Sequence, residues 1–323
     1  MKNFCFASCP AAISQVIIFI LVADRNISNR GSIRIVLQVA FVTIQNTKLR
    51  YLHSHPGAAL KTLSNEIIQQ RSEGSYNVLF IHGLGSSSER WLDIPDAISL
   101  AGFSSYAIDL PGFGGSQVRS DTEYNVNYLA DITMDFIRSV DLEPEKTVLI
   151  GHSLGGFIAA RLVSKFRIGH RLILIDSSGL LEHPTPLLER YYEAAMNPTS
   201  EKVRKVFEQM VADPIRIPEA LVQGFIMRMG QENATHSFSS AYQNSTSTQL
   251  SRFEIEHLRS LNESVLLIWG EKDQLIPFEF FTRFSRFLPR AKTALVTDAG
   301  HAPFAEKPTL VFELIRSFLS ASF

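Results

Sequence analysis

The stretch Thr147–Gly156 reads TVLIGHSLGG. Thr147 to Ile150 form a short run without charge, the signature of a strand buried on both faces. Gly151-His152-Ser153-Leu154-Gly155 then fits G-x-S-x-G, and Leu154 to Phe166 continues with helical spacing. Strand, sharp turn and helix form the context in which that motif carries meaning. A serine on so tight a turn sits on strained backbone, and side chains on its neighbours would clash. Gly151 and Gly155 have none. The helix that follows brings its first N–H groups and the positive end of its dipole close to an oxygen reacting at Ser153.

Working outward, strand and helix patterns alternate. Val39–Ile44 and Lys48–His53 read as two strands joined by a turn at Gln45-Asn46-Thr47. Residues 54–75 are a polar surface excursion with a short helix expected around Lys61–Gln70. Val78–His82, Tyr106–Asp109, Arg171–Ile175, Val265–Trp269 and Thr293–Val296 read as further strands. Asn125–Val140 and Pro303–Leu319 read as helices, the second with proline near its start. Apolar strands alternating with helices predict an α/β fold. We expect a mostly parallel eight-stranded sheet with an antiparallel edge and helices on both faces. Residues 178–258 break the rhythm with several helical patterns and no strand. They predict a helical cap inserted into a core formed by residues 38–177 and 259–323.

The 323 residues are 45% hydrophobic and 20% charged, enough apolar material for a large core. Thirty-one basic and 32 acidic residues leave a net charge of −1, which argues against a nucleic-acid partner. Both cysteines, Cys5 and Cys9, lie at the extreme N-terminus. A cysteine nucleophile, a Cys-ligated zinc and an internal disulfide scaffold are therefore excluded from the rest of the chain. Residues 1–37 read as an N-terminal extension. Within it, Ala11–Ala23 is apolar apart from Ser14 and Gln15 but is shorter than the about 20 residues a spanning helix needs. Three readings stand for it: a membrane-associated segment, a weak signal peptide, or an extension without function. We expect a cytoplasmic protein, with membrane association or secretion through residues 11–23 as the alternative. Oligomeric state is not encoded in these patterns.

The nucleophile turn, with the motifs that follow it, resembles the α/β-hydrolase family over about residues 39–321. The family order of serine, acid, then histidine implies Ser153 as nucleophile, Asp273 in Gly270-Glu271-Lys272-Asp273 as acid, and His301 in Gly300-His301-Ala302-Pro303 as base. Asp176, which ends the RLILI strand, is the rival acid. The resemblance implies backbone N–H donors for an oxyanion at Leu154, directly after the serine, and at Leu84 in the loop His82-Gly83-Leu84-Gly85. It requires no metal and no organic cofactor. His82 and His152 occupy slots that in the family do not hold the base, and the other six histidines lack a supporting motif. Asp109, in Asp109-Leu110-Pro111-Gly112-Phe113-Gly114, is expected to tie its loop rather than to react. Gly83, Phe113, Phe157, Phe225 and Leu275 are candidate pocket residues. Four of the six methionines, Met196, Met210, Met227 and Met229, fall in the predicted cap, where they suit either an adaptable apolar wall or a small helical core.

The expected activity is hydrolysis of a carboxylic ester or related acyl bond of a small apolar substrate, through an acyl-enzyme. A carbon–carbon bond hydrolase of the same fold, acting on a vinylogous 1,5-diketone acid, is the alternative. Such members tend to carry tryptophan after the catalytic histidine, and position 302 is alanine. Arg190, Arg204 and Arg228 are candidate partners for a substrate carboxylate. A ligand sensor that retains the three residues is a further alternative, and a degenerate scaffold is disfavoured by the complete motif set.

Overall fold

The computed structural model describes residues 19–20, 38–55, 76–169, 171–214 and 217–321. The Lys61–Gln70 helix and the Ala11–Ala23 segment, apart from the backbone of Phe19–Ile20, lie outside these residues. Among the described residues nine strands form one sheet. The outermost is the two-residue Phe19–Ile20, paired antiparallel with Gln38 and Val39. The other eight are β1 (Gln38–Ile44), β2 (Thr47–Ser54), β3 (Asn77–Ile81), β4 (Ser104–Ile108), β5 (Thr147–His152), β6 (Arg171–Ile175), β7 (Val265–Gly270) and β8 (Lys292–Val296). Their spatial order is β1-β2-β4-β3-β5-β6-β7-β8. β1, β2 and β4 pair antiparallel, and every pair from β4 through β8 is parallel. The hairpin turn is two residues long, with Gln45 and Asn46 both at positive φ. That backbone twist matches the twist of the flanking strands.

Period-two alternation divides the core between the two sheet faces. Leu79, Leu149, Leu172, Leu174 and Leu267 point to one face, where α2 (Val126–Ser139) and α3 (Leu154–Phe166) cover them. Val78, Phe80, Val148, Ile150 and Ile173 point to the other, against α1 (Ile94–Leu100) and the C-terminal helix. The central strands β5, β6 and β7 are buried at every position, which is why their sequences run apolar without alternating. The edge strand β8 is largely exposed.

Between β6 and β7, among the described residues, run the α-helices α4 (Pro186–Met196), α5 (Ser200–Met210), α6 (Glu219–Met229), α7 (Ala234–Ser247) and α8 (Arg252–Ser260). The Thr185, Thr199 and Ser251 side chains cap α4, α5 and α8, and Ser251 with Glu254 completes a capping box. The insertion has a closed neck, because the Leu250 N–H donates to the Gly179 carbonyl at 2.8 Å. Beyond that neck α8 rejoins the core. Arg161 of α3 donates to both carboxylate oxygens of Glu254, at 2.7 and 3.3 Å, and also to Asn127 and the Gln249 carbonyl.

The C-terminal helix differs from its expected form. It is two helices, α10 (Pro303–Glu306) and α11 (Pro308–Ser320), because Pro308 has no N–H to continue the first. α9 (Phe278–Phe287) follows β7 and buries Phe280 and Phe284. It forms a helix although five of its ten residues are phenylalanine, a residue that favours strands locally.

The Arg161–Glu254 pair is nearly buried, with side chains 8% and 13% exposed. Removing one partner leaves an uncompensated charge. Glu254→Ala is expected to lower the unfolding free energy by about 3 kcal/mol, read by urea denaturation, whereas Glu256→Ala on the exposed face should change it little.

Candidate active site

The sheet reverses its winding direction between β3 and β5, and ligands of open α/β sheets bind outside the strand ends at such a point. The loops after β3, β5, β6, β7 and β8 carry Leu84, Ser153, Asp176, Asp273 and His301.

Ser153 has φ 53° and ψ −119°, a left-handed backbone for a non-glycine residue. The turn is held from several sides. The Ser153 N–H donates to the Ile175 carbonyl of β6 at 3.0 Å, and the Ser153 carbonyl accepts from Gly156, Phe157 and Ser178. The flanking glycines are sterically compelled. A Cβ on Gly151 would stand 2.2 Å from the Gly155 carbonyl oxygen, and one on Gly155 would stand 2.1 Å from that of Ile81.

Asp273 and His301 meet directly. His301 Nδ1 donates to Asp273 Oδ2 at 2.8 Å, in the tautomer that pairing requires. The other oxygen, Oδ1, accepts from the Leu275 and Ile276 N–H groups at 2.7 and 3.0 Å. The His301 loop is docked as well. Its N–H donates to the Met210 carbonyl at 2.7 Å, while Glu306 accepts from the Gly300 and Ala212 N–H groups. The insertion thus helps to position the histidine.

Asp176 is fully buried beside this pair. Its Oδ1 accepts from the Gly270 N–H at 2.8 Å, and oxygen or nitrogen atoms of Asp176, Asp273 and His301 lie within 4.8 Å of one another. Oδ2 receives no donor. Burial first, and then the charge of Asp273, push the Asp176 carboxyl well above the usual carboxylate range. As a neutral acid it can donate to Asp273, which a carboxylate cannot. The same three groups could approach a cation, but Asp176 Oδ1 and both Asp273 oxygens already accept hydrogen bonds, which leaves Asp176 Oδ2 as the unengaged carboxylate oxygen.

The remaining histidines near the turn serve the scaffold. His82 Nδ1 donates to the Gly83 carbonyl and Nε2 accepts from the Leu110 N–H. His152 Nε2 donates to the His301 carbonyl at 2.6 Å. Burial lowers the pKa of both rings, so both are held neutral. Asp109 ties its loop. It accepts from Ser88 and Gly115 N–H groups and forms a 2.8 Å ion pair with Arg50.

A cleft of about 760 Å³, its open mouth included, exposes Ser153 and His301. Gly83, Leu84 and Leu275 border it, and so do Met210, Phe225 and Arg228 of the insertion. Leu154, the first residue of α3, lies beneath the cleft. Neither its N–H nor that of Leu84 donates to another backbone group among the described residues. Phe113 and Phe157 do not border this cleft. Phe113 lines a smaller adjoining one, and Phe157 is buried under the Arg161 guanidinium, 4.8 Å from its ring centre. Of the insertion methionines Met210 borders the cleft, Met196 and Met229 pack in the core, and Met227 is exposed. Arg190 donates to Gln209 and Arg204 pairs with Glu219 on the surface. Arg90 and Tyr191 also border the cleft. Both escaped the sequence reading because no motif marks them.

The raised Asp176 has a consequence for stability. The fold favours its protonated form, so its contribution is fully present below the ordinary carboxylate pKa of about 4 and is lost as pH rises through the folded-state value. Asp176→Asn keeps a neutral donor at every pH. Its thermal midpoint is expected to gain on the wild type as pH rises toward 9, as read by melting curves across pH.

No helix among the described residues is long and apolar enough to cross a membrane. A hydrolase of Bacillus subtilis, itself uncharacterised, is 27% identical over 77% of this chain and 92% of its own length. A pimeloyl-[acyl-carrier protein] methyl ester esterase of Aeromonas hydrophila is 26% identical over 75% of this chain and 95% of its own. Among solved structures, a 2-hydroxy-6-oxo-6-phenylhexa-2,4-dienoate hydrolase of Rhodococcus superposes with a TM-score of 0.75 at 17% identity, covering 89% of this chain and all of that one. The profile of the alpha/beta hydrolase family matches residues 78–314, about three quarters of the sequence, and the chain is a member of that family.

Proposed function

We propose that this protein is a serine hydrolase that cleaves a carboxylic ester through an acyl-enzyme. The observation that carries the reading is the shared cleft: Ser153, on a strained turn, and His301, held by Asp273, both open into it. With Nδ1 donating to Asp273, the lone pair of His301 resides on Nε2. That nitrogen takes the Ser153 proton as Oγ attacks the acyl carbon, and returns it to the leaving alcohol. Asp273 stabilises the imidazolium that forms. The Leu84 and Leu154 N–H groups stabilise the negative oxygen of the tetrahedral intermediate. Water, deprotonated by His301, then releases the acid and restores Ser153. The Aeromonas relative, a methyl ester esterase, agrees with this class.

A carbon–carbon bond hydrolase is the second reading, supported by the Rhodococcus fold relative. Ala302, which borders the cleft, stands where such members tend to carry tryptophan, and this places the reading behind ester cleavage.

The test is hydrolysis of p-nitrophenyl esters over a range of acyl lengths. Wild type is expected to turn them over and Ser153→Ala to abolish burst and turnover alike. Equal rates in both proteins would overturn the proposal. Asp273→Asn is expected to lower kcat by roughly 10⁴, because the ring then loses its enforced tautomer. Asp176→Asn, which preserves a neutral group, should lower it far less. A larger loss from Asp176→Asn than from Asp273→Asn would exchange their roles.

A further inference from the structure

We propose that Arg90 and Arg228 hold an oxyanionic group of the substrate, a carboxylate or a phosphate, and that the enzyme prefers esters carrying one. The inference rests on the serine-hydrolase reading for the position of the scissile bond. Arg90 comes from the short 3₁₀ turn Ser88–Trp91 after β3, and Arg228 comes from α6. Both border the cleft that exposes Ser153 and His301, and most of the other lining residues, such as Leu188, Phe207, Ile217 and Leu221, are apolar.

A guanidinium drawn out of water needs a partner. The protein elsewhere follows that rule: Arg50 pairs with Asp109 and Glu89, and Arg161 pairs with Glu254. Arg90 and Arg228 pair with no carboxylate among the described residues, and Arg228 Nε is buried without a hydrogen-bond partner. Glu306 is the acid whose field reaches Arg90, but the Gly300 and Ala212 N–H groups engage its two oxygens. Burial disfavours the charge on Arg90, and the like charge of Arg228 adds to that. The other titratable groups around the two offer no compensation. Tyr191 donates its hydroxyl to the Leu84 carbonyl, and burial raises its pKa, so it stays neutral. His82 and His152 are neutral as well.

Two unpaired, planar cations beside a nucleophile in an apolar cleft make a site for an anion that the substrate brings. Guanidinium groups suit the flat carboxylate and the phosphate oxygens alike through paired N–H bonds. Because Arg90 belongs to the core and Arg228 to the insertion, a bound anion would also join the two layers. Arg228 additionally borders the smaller adjoining cleft at Gly112–Gly114.

Four esters of matched acyl length separate the alternatives. Monomethyl esters of dicarboxylic acids are compared with methyl esters of monocarboxylic acids, and acyl esters of glycerol 3-phosphate with those of glycerol. Wild type is expected to favour one charged member by at least tenfold in kcat/KM. Arg228→Gln and Arg90→Gln should each lower kcat/KM for that substrate at least 30-fold and leave its neutral partner within threefold. Arg228→Gln should melt no lower than wild type, since it removes an unpaired charge. Equal rates on charged and neutral members, or equal losses on both in the variants, would overturn the proposal. Calorimetric titration of Ser153→Ala protein with adipate and with glycerol 3-phosphate reads the site without turnover, and the better ligand names the source of the anion. If no ester is cleaved yet an anion binds and Arg228→Gln abolishes it, the hydrolase reading fails and the anion site stands. If neither anion binds, the anion site fails whatever the esters do.

Discussion

The constraint on which the site depends is the left-handed backbone at Ser153. Holding a serine there costs about 1–3 kcal/mol, and the fold offsets it with hydrogen bonds from three directions: β6, α3 and the strand-end loop at Ser178. Gly151 and Gly155 make the turn sterically feasible, because β5, α3 and β3 meet there at backbone contact distance. The sheet order follows from the same place. β3 and β5 must be neighbours for the Leu84 loop to face the serine, and the reversal of winding between them opens the cleft.

A second theme is the handling of buried charge. Three ionisable groups meet behind the serine, and the protein keeps only part of their charge. Asp273 receives three hydrogen bonds, while Asp176 beside it is pushed toward the neutral acid by burial and by its neighbour's charge. His82 and His152 are likewise held neutral, as hydrogen-bond fixtures of the loops. Against that economy, two guanidinium groups without carboxylate partners among the described residues, in the same cleft, are an exception.

The helical insertion is part of the site as much as its roof. Its Met210 carbonyl receives the His301 N–H, and Ala212 shares Glu306 with Gly300. The position of the histidine therefore depends on the insertion being docked. Changes in α5 that touch no substrate would still reach the chemistry through this contact.

Strands β1 to β8, the antiparallel edge and the chain order of the candidate groups were legible in the sequence, whereas the outermost strand Phe19–Ile20 was not. Buried strands announce themselves as uncharged runs, and Ser153, Asp273 and His301 stand in local motifs whose glycines and flanking strands are contiguous in the chain. What lay between distant segments was decided by tertiary structure. Phe113 and Phe157 were expected at the pocket, but the helical turn of α3 directs Phe157 under Arg161 and Phe113 lines the smaller adjoining cleft. Arg90 and Arg228 are 138 positions apart by their residue numbers; the sequence offered Arg228 only as one of three insertion arginines, and nothing local marks Arg90. Their meeting in one cleft depends on how α6 closes over the β3 loop. The neutral state of Asp176 likewise needs its burial beside Asp273, and burial is a property of packing that no spacing of residues encodes.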